Sequence, residues 1–158
     1  MPYSLPIKPS PNLPTDLSIA LYPTLCLFEG TPISVGRGTK QPFEQIGHPL
    51  LKDKYNDSFQ PKSMEGAKYP PYEGEVCYGI QFHEKPYEEG INLEYLIKFY
   101  GEYPDQDKYF NNFFTKLAGT EALEKQIKAG FSASDIKISW KTDLDAYRAL
   151  RNRYILYP

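Results

Sequence analysis

The stretch Leu25-Cys26-Leu27-Phe28-Glu29-Gly30-Thr31, continued by Ser34-Val35-Gly36-Arg37-Gly38-Thr39, is where the fold and the chemistry of this chain meet. Its apolar run reads as a strand buried on both faces, and the run ends in a lone carboxylate. Three hydroxyls, on Thr31, Ser34 and Thr39, and a glycine-flanked arginine follow within ten positions. Glycine on each side of Arg37 lets the backbone take positive φ and come close to a ligand. Guanidinium, carboxylate and hydroxyls together supply the donors and acceptors that a sugar or an organic acid demands.

Outward from this stretch, a second strand is expected where Val76, Tyr78, Ile80 and Phe82 alternate with Cys77, Gly79, Gln81 and His83. Residues 40–75 between the two are rich in Pro, Gly, Lys and Asp and show little periodicity, which reads as a long loop lining a cleft. Residues 1–14 carry five prolines in extended spacing and read as a connecting segment. From Asn92 the pattern turns helical. Leu93, Leu96, Ile97 and Tyr100 share a face that Asn92 caps and Pro104 ends, and a second helix runs from about Glu121 to Ala129 between Thr120 and Gly130. Ser132 and Thr142 open two further capping patterns, and the last helix is expected to bury Leu144, Tyr147, Leu150 and Tyr154. The expected architecture is one α+β domain over 15–158, a small mixed sheet in the N-terminal half with helices from the C-terminal half packed on it.

Composition excludes several function classes. The chain has 158 residues, enough for one full core and short for two. A formal charge of -2 and scattered lysines give no basic face for nucleic acid. No apolar run approaches the roughly 20 residues of a membrane span, and Met1-Pro2-Tyr3-Ser4 lacks the basic start and apolar centre of a signal peptide. Cys26 and Cys77 show no ligand spacing, and His48 and His83 are the only histidines, so neither a metal nor any other cofactor is expected. There is no phosphate-loop spacing around Gly36-Arg37-Gly38-Thr39 and no Gly-x-Ser-x-Gly elbow. The 14 tyrosines suit a sugar-lined cleft, and equally the packing of a loop-rich fold.

The order Pro9-Ser10-Pro11-Asn12-Leu13-Pro14, Tyr22-Pro23, Phe28-Glu29-Gly30-Thr31, Ser34, Gly36-Arg37-Gly38-Thr39 and Pro42-Phe43-Glu44 resembles the C-terminal domain of the peptidoglycan exo-β-N-acetylmuramidase (NamZ) family, formerly a domain of unknown function. Leu117-Ala118-Gly119-Thr120, Gln126-Ile127, Ser139-Trp140 and the closing Arg153-Tyr154-Ile155-Leu156-Tyr157 continue the resemblance over nearly the whole chain. Pro32 and Thr24 depart from it, standing where asparagine and glycine are common. The resemblance implies a two-part protein whose N-terminal Rossmann-like domain carries the catalytic glutamate, with residues 1–14 as the linker and the cleft between the domains. It also implies a peptidoglycan-derived sugar, N-acetylmuramic acid, as ligand and a periplasmic or secreted location.

On that reading Arg37, the only arginine before residue 148, matches the lactyl carboxylate that separates N-acetylmuramic acid from N-acetylglucosamine. The competing reading pairs Arg37 with Glu29 or Glu44 to hold the loop. Glu29 is expected to bond sugar hydroxyls or to orient Arg37, and one glutamate alone does not make the carboxylate pair of a glycosidase. Thr31, Ser34 and Thr39 either reach substrate or bond their own turns, and His83 either faces the cleft or lies on the surface at a strand end. Two functions remain open: a cleft-completing hydrolase domain that binds substrate without supplying the catalytic acid, and a non-catalytic carbohydrate-binding or interdomain module.

Overall fold

The computed structural model describes residues 5–84 and 90–156. Met1-Pro2-Tyr3-Ser4, read above for a leader, and Tyr157 of the closing motif lie outside them. The first element is a helix, α1 (Asp16–Leu25). Thr15 caps it in a reciprocal box: its hydroxyl accepts from the Ser18 amide at 3.0 Å while the Ser18 hydroxyl accepts from the Thr15 amide at 3.1 Å. Leu17, Leu21 and Leu25 recur every four residues along it, the last two fully in the core. Pro23 removes one hydrogen-bond donor from its last turn, and the chain tightens into a 3-10 segment, Cys26–Gly30.

The strand expected at Leu25–Phe28 is therefore helical. A short apolar run has the same pattern in a buried strand and a buried helix, and here the upstream cap at Thr15 decides between them.

Three short strands, β1 (Gln45–His48), β2 (Asp57–Phe59) and β3 (Cys77–Gln81), form one sheet in the order β1-β3-β2. Both pairings are antiparallel, with Ile46 opposite Ile80 and Ser58 opposite Tyr78, so the sheet is not mixed. Two of its strands lie inside the expected 40–75 loop, at four and three residues too short to show a period. The second strand forms where alternation placed it, and the overall mixture is α+β as expected.

Among the described residues five α-helices follow: α2 (Glu94–Glu102), α3 (Phe114–Ala118), α4 (Ala122–Lys128), α5 (Ala133–Ser139) and α6 (Lys141–Arg151). Ser132 caps α5, accepting from the Asp135 amide at 3.1 Å, whereas Thr142 lies inside α6, which begins at Lys141. One core joins the halves. Phe99 of α2 stacks on Tyr55 at 5.2 Å and meets Phe28 edge-on at 5.7 Å, and Phe82 meets Tyr95 edge-on at 5.1 Å. Burying each such ring contributes about 2 kcal/mol or more. The α3 backbone lies against the 3-10 segment: the Asn111 amide donates to the Gly30 carbonyl at 3.0 Å, and a Cβ at residue 30 would stand 2.5 Å from the Phe114 Cα. Leu144, Tyr147, Leu150 and Tyr154 do not enter the core; all four are exposed.

Candidate functional site

The 3-10 segment ends with Glu29 at its C-terminal edge, and Gly36 and Gly38 at φ 74° and 82° turn the chain so that Arg37 comes back to it. Glu29 Oε1 accepts from both Arg37 Nε at 3.0 Å and Nη2 at 2.7 Å. The Arg37 guanidinium also lies over the Phe43 ring, 5.0 Å from its centroid. A guanidinium has five N–H donors, so this pairing leaves three for other acceptors. Glu44, the other partner considered for Arg37, bonds the Thr15 hydroxyl instead.

Glu29, Thr31, Ser34 and Arg37 line one concave cavity of about 180 Å³, together with Pro32, Pro71 and Tyr72. Four of the six candidate residues thus come together. Their availability differs. The Thr31 hydroxyl donates to the Phe28 carbonyl at 2.8 Å and accepts from the Ile33 amide at 3.1 Å, while the Ser34 oxygen accepts from the Gly36 amide at 3.3 Å. Both side chains hold their own turns. Ser34 also joins β1 through its backbone, exchanging two hydrogen bonds with Gly47 at 2.8 and 3.0 Å.

Thr39 and His83 are not part of this cavity. The Thr39 hydroxyl donates to the Gly36 carbonyl at 2.7 Å and accepts from Gln45 Nε2 at 2.7 Å, bracing the Arg37 turn from behind. It faces a separate, open groove of about 500 Å³ lined by Lys8, Ser10, Lys40 and Glu65. His83 is exposed beyond the end of β3.

Sequence reasoning missed Tyr72. Its hydroxyl donates to the Pro32 carbonyl at 2.6 Å and its backbone sits at φ 59°, so it closes the cavity wall from forty residues away. Burial pushes its hydroxyl up to about 12, which keeps it a neutral donor. His48 supports Tyr72 from beneath: the rings meet edge-on at 4.8 Å, and Tyr103 meets His48 edge-on from another side at 5.2 Å. Burial holds the His48 imidazole below its ordinary value, so it is neutral, with Nδ1 accepting from the Leu50 amide at 3.1 Å. The positive φ at a tyrosine carries no sequence signature; only the density of aromatics in this region hinted at such a wall.

Among the described residues no group of three histidines, cysteines or acidic residues is arranged to hold a metal ion. Cys26 and Cys77 are free thiols, each raised by burial, Cys77 to about 12. Glu29 adds to the rise at Cys26, which favours the protonated thiol there. Chemically, the cavity offers one fixed cation held by one carboxylate, tyrosine and proline walls, and a floor of satisfied hydroxyls. That arrangement can grip an anionic or hydroxyl-rich group, and among the described residues Glu29 is the one carboxylate in its lining.

A small α+β domain with a charged cavity at its helix-to-loop edge is the class that fold and site define. Within that class the chain belongs to the family described as exo-β-N-acetylmuramidase NamZ, C-terminal, whose model matches residues 20–157. It is 31% identical to the peptidoglycan β-N-acetylmuramidase NamZ of Bacillus subtilis strain 168, over 96% of this chain and 40% of that protein. A crystal structure of a DUF1343 family protein, BF0379 of Bacteroides fragilis, superposes with a TM-score of 0.92 at 46% identity, covering 98% of this chain and 45% of the other. A second DUF1343 structure from that organism, BF0371, shares the fold at a TM-score of 0.69 and 19% identity. The chain spans less than half the length of the relatives it matches.

Proposed function

We propose that this chain is the cleft-completing, substrate-binding domain of a glycoside hydrolase that removes terminal N-acetylmuramic acid from peptidoglycan fragments. It works beside a Rossmann-like N-terminal domain reached through residues 1–14, which supplies the catalytic acid, in the cell envelope or outside the cell. The observation that carries this reading is the Glu29–Arg37 pair facing a cavity. The remaining guanidinium donors suit the lactyl carboxylate, the group that marks the muramic sugar. Glu29 holds the guanidinium in the orientation that presents those donors, and it is in reach of sugar hydroxyls.

Size argues for a half-site. Pockets that enclose a small ligand run from about 300 to 1,000 Å³, and the cavity here is about 180 Å³. It admits a substituent and leaves the ring to be covered from elsewhere. Holding the sugar in register with a catalytic group on a second domain lowers the barrier by positioning, an effect worth several kcal/mol without any bond-making by Arg37 or Glu29.

Calorimetric titration tests the carboxylate-reading role. The chain should bind N-acetylmuramic acid more tightly than N-acetylglucosamine, and Arg37→Ala should abolish the difference. Equal affinity for both sugars in the unaltered chain would remove the assignment of Arg37.

A further inference from the structure

Among the described residues, two that are not glycine have positive φ: Phe43 at 58° and Tyr72 at 59°. A side chain resists that conformation, so it persists only where the surrounding structure forces it, and such residues gather at functional sites. Tyr72 is a wall of the cavity. Phe43 is fully buried and outside the lining, yet its ring lies beneath the Arg37 guanidinium, with Cζ 5.0 Å from the ring centroid. The packing around Phe43 fixes that ring. Its amide donates to the Val35 carbonyl at 2.8 Å, closing the loop that carries Arg37. Tyr22 of α1 meets the ring edge-on at 5.0 Å. The next residue, Glu44, is held twice: its carboxylate accepts from the Thr15 hydroxyl, and its carbonyl accepts from the Phe82 amide at 2.8 Å. The ring is therefore set by α1 and by the chain just past β3, not by the loop it supports.

Glu29 alone does not orient the guanidinium. Both hydrogen bonds from Arg37 end on one oxygen, Oε1, and a planar cation bonded to a single point can pivot about it. A ring beneath the cation removes that freedom, because the face of an aromatic ring attracts positive charge. With the Nε–Nη2 edge engaged by Glu29, the other edge, formed by Nη1 and the second Nη2 hydrogen, has no acceptor among the described residues. Two parallel N–H groups on that edge match a carboxylate bidentately. Resting on the muramic-acid reading above, we propose that Phe43 is the positioning residue of this site: it sets the plane of the Arg37 guanidinium so that the Nη1–Nη2 edge faces the cavity, and it thereby determines the preference for a carboxylate-bearing sugar. Its strained backbone is what brings a ring to that place, since the neighbouring contacts hold the main chain at Phe43 while the side chain turns back under Arg37.

The test compares Phe43→Leu with Tyr22→Leu. Each removes one ring of the same edge-on pair, and only the first takes the ring from beneath Arg37. Thermal unfolding checks that both variants fold; Phe43→Met, closer to phenylalanine in volume, replaces Phe43→Leu if leucine leaves the chain unfolded. By calorimetry, Phe43→Leu should lower the ratio of affinities for N-acetylmuramic acid over N-acetylglucosamine about tenfold, whereas Tyr22→Leu should leave the ratio unchanged. Nuclear magnetic resonance gives a reading that needs no sugar. The Arg37 Nε–H proton, assigned as the signal lost in Arg37→Lys, should move downfield in Phe43→Leu as the shielding ring goes, and stay in place in Tyr22→Leu. An unchanged ratio with an unmoved Nε–H signal in Phe43→Leu overturns the proposal, and so does an equal loss of the ratio in Tyr22→Leu, which would make the ring pair merely structural. If the unaltered chain shows no preference between the two sugars, the muramic-acid reading fails and the specificity role falls with it. The Nε–H signal then decides the orientation of Arg37 by itself: displaced in Phe43→Leu, it keeps Phe43 as the positioning residue; unmoved, it removes that role too.

Discussion

Glu29 meets Arg37 through a single carboxylate oxygen, Oε1, which takes both the Nε and the Nη2 donor. A lysine has no such fork. Arg37→Lys keeps the charge and loses the double contact, and both side chains are under a third exposed. With solvent screening, the stability cost should stay within about 1 kcal/mol. Affinity for the muramic sugar should fall at least tenfold by calorimetry while the denaturation midpoint barely moves. A large stability loss at unchanged affinity would make the pair a purely structural clamp.

Gly30→Ala should destabilise the domain by about 2 to 3 kcal/mol, because the new methyl would overlap the α3 backbone at Phe114 rather than the end of a flexible side chain. Urea unfolding reads this directly. Since Gly30 adjoins Glu29, the variant should also weaken sugar binding, whereas a substitution remote from the segment with the same stability cost should not.

Stability should depend on pH through His48. Burial lowers its affinity for a proton in the folded state, while the unfolded chain titrates near 6.5. Just below pH 6.5 the unfolded state therefore binds more protons than the folded one, and stability is lost as the pH falls through that window. Denaturation midpoints at pH 7.5 and 5.5 should differ in that sense, and His48→Gln should flatten the dependence. An unchanged midpoint in the unaltered protein would show that His48 protonates freely in place.

Thr15→Ala should cost about 1 to 2 kcal/mol. It removes the reciprocal cap of α1 and also leaves the buried Glu44 carboxylate without its hydroxyl partner. Thr15→Ser keeps both contacts and should restore most of the loss in thermal unfolding.

Legibility followed the range over which each signal acts. Around α5 the capping residue Ser132, and along α4 the apolar spacing of Leu123 and Ile127, point the same way, and those helices form, although Glu121 rather than Thr120 stands at the N-cap of α4. Strand β3 alternates over enough residues to show its period. The Leu25–Phe28 run misleads because four apolar residues carry no period, and the deciding cap lies ten residues earlier. At α6 the amphipathic pattern was visible, but amphipathicity states only that a face wants a partner, not that this chain provides one. The pairing of Arg37 with Glu29 was legible as one of two choices; Glu44 was removed from the choice by Thr15, a contact across 29 positions that no local pattern encodes. Tyr72 was invisible for the same reason, since its hydroxyl bond to Pro32 spans 40 positions.

By itself the sequence determined the local matters: which segments cap and coil into helices in the second half, where a strand alternates, that Arg37 sits between two glycines able to take positive φ, and, through motifs in fixed order, the family. These depend on interactions within a few residues, which composition and spacing encode. Only the tertiary structure decided that the Leu25–Phe28 run is helical, that Glu29, Thr31, Ser34 and Arg37 share a cavity while Thr39 and His83 stand apart from it, and that Leu144, Tyr147 and Leu150 of α6 remain exposed. Those outcomes depend on long-range packing, in which segments compete for a place in one core, and the energy that settles the competition belongs to the assembled chain and not to any segment within it.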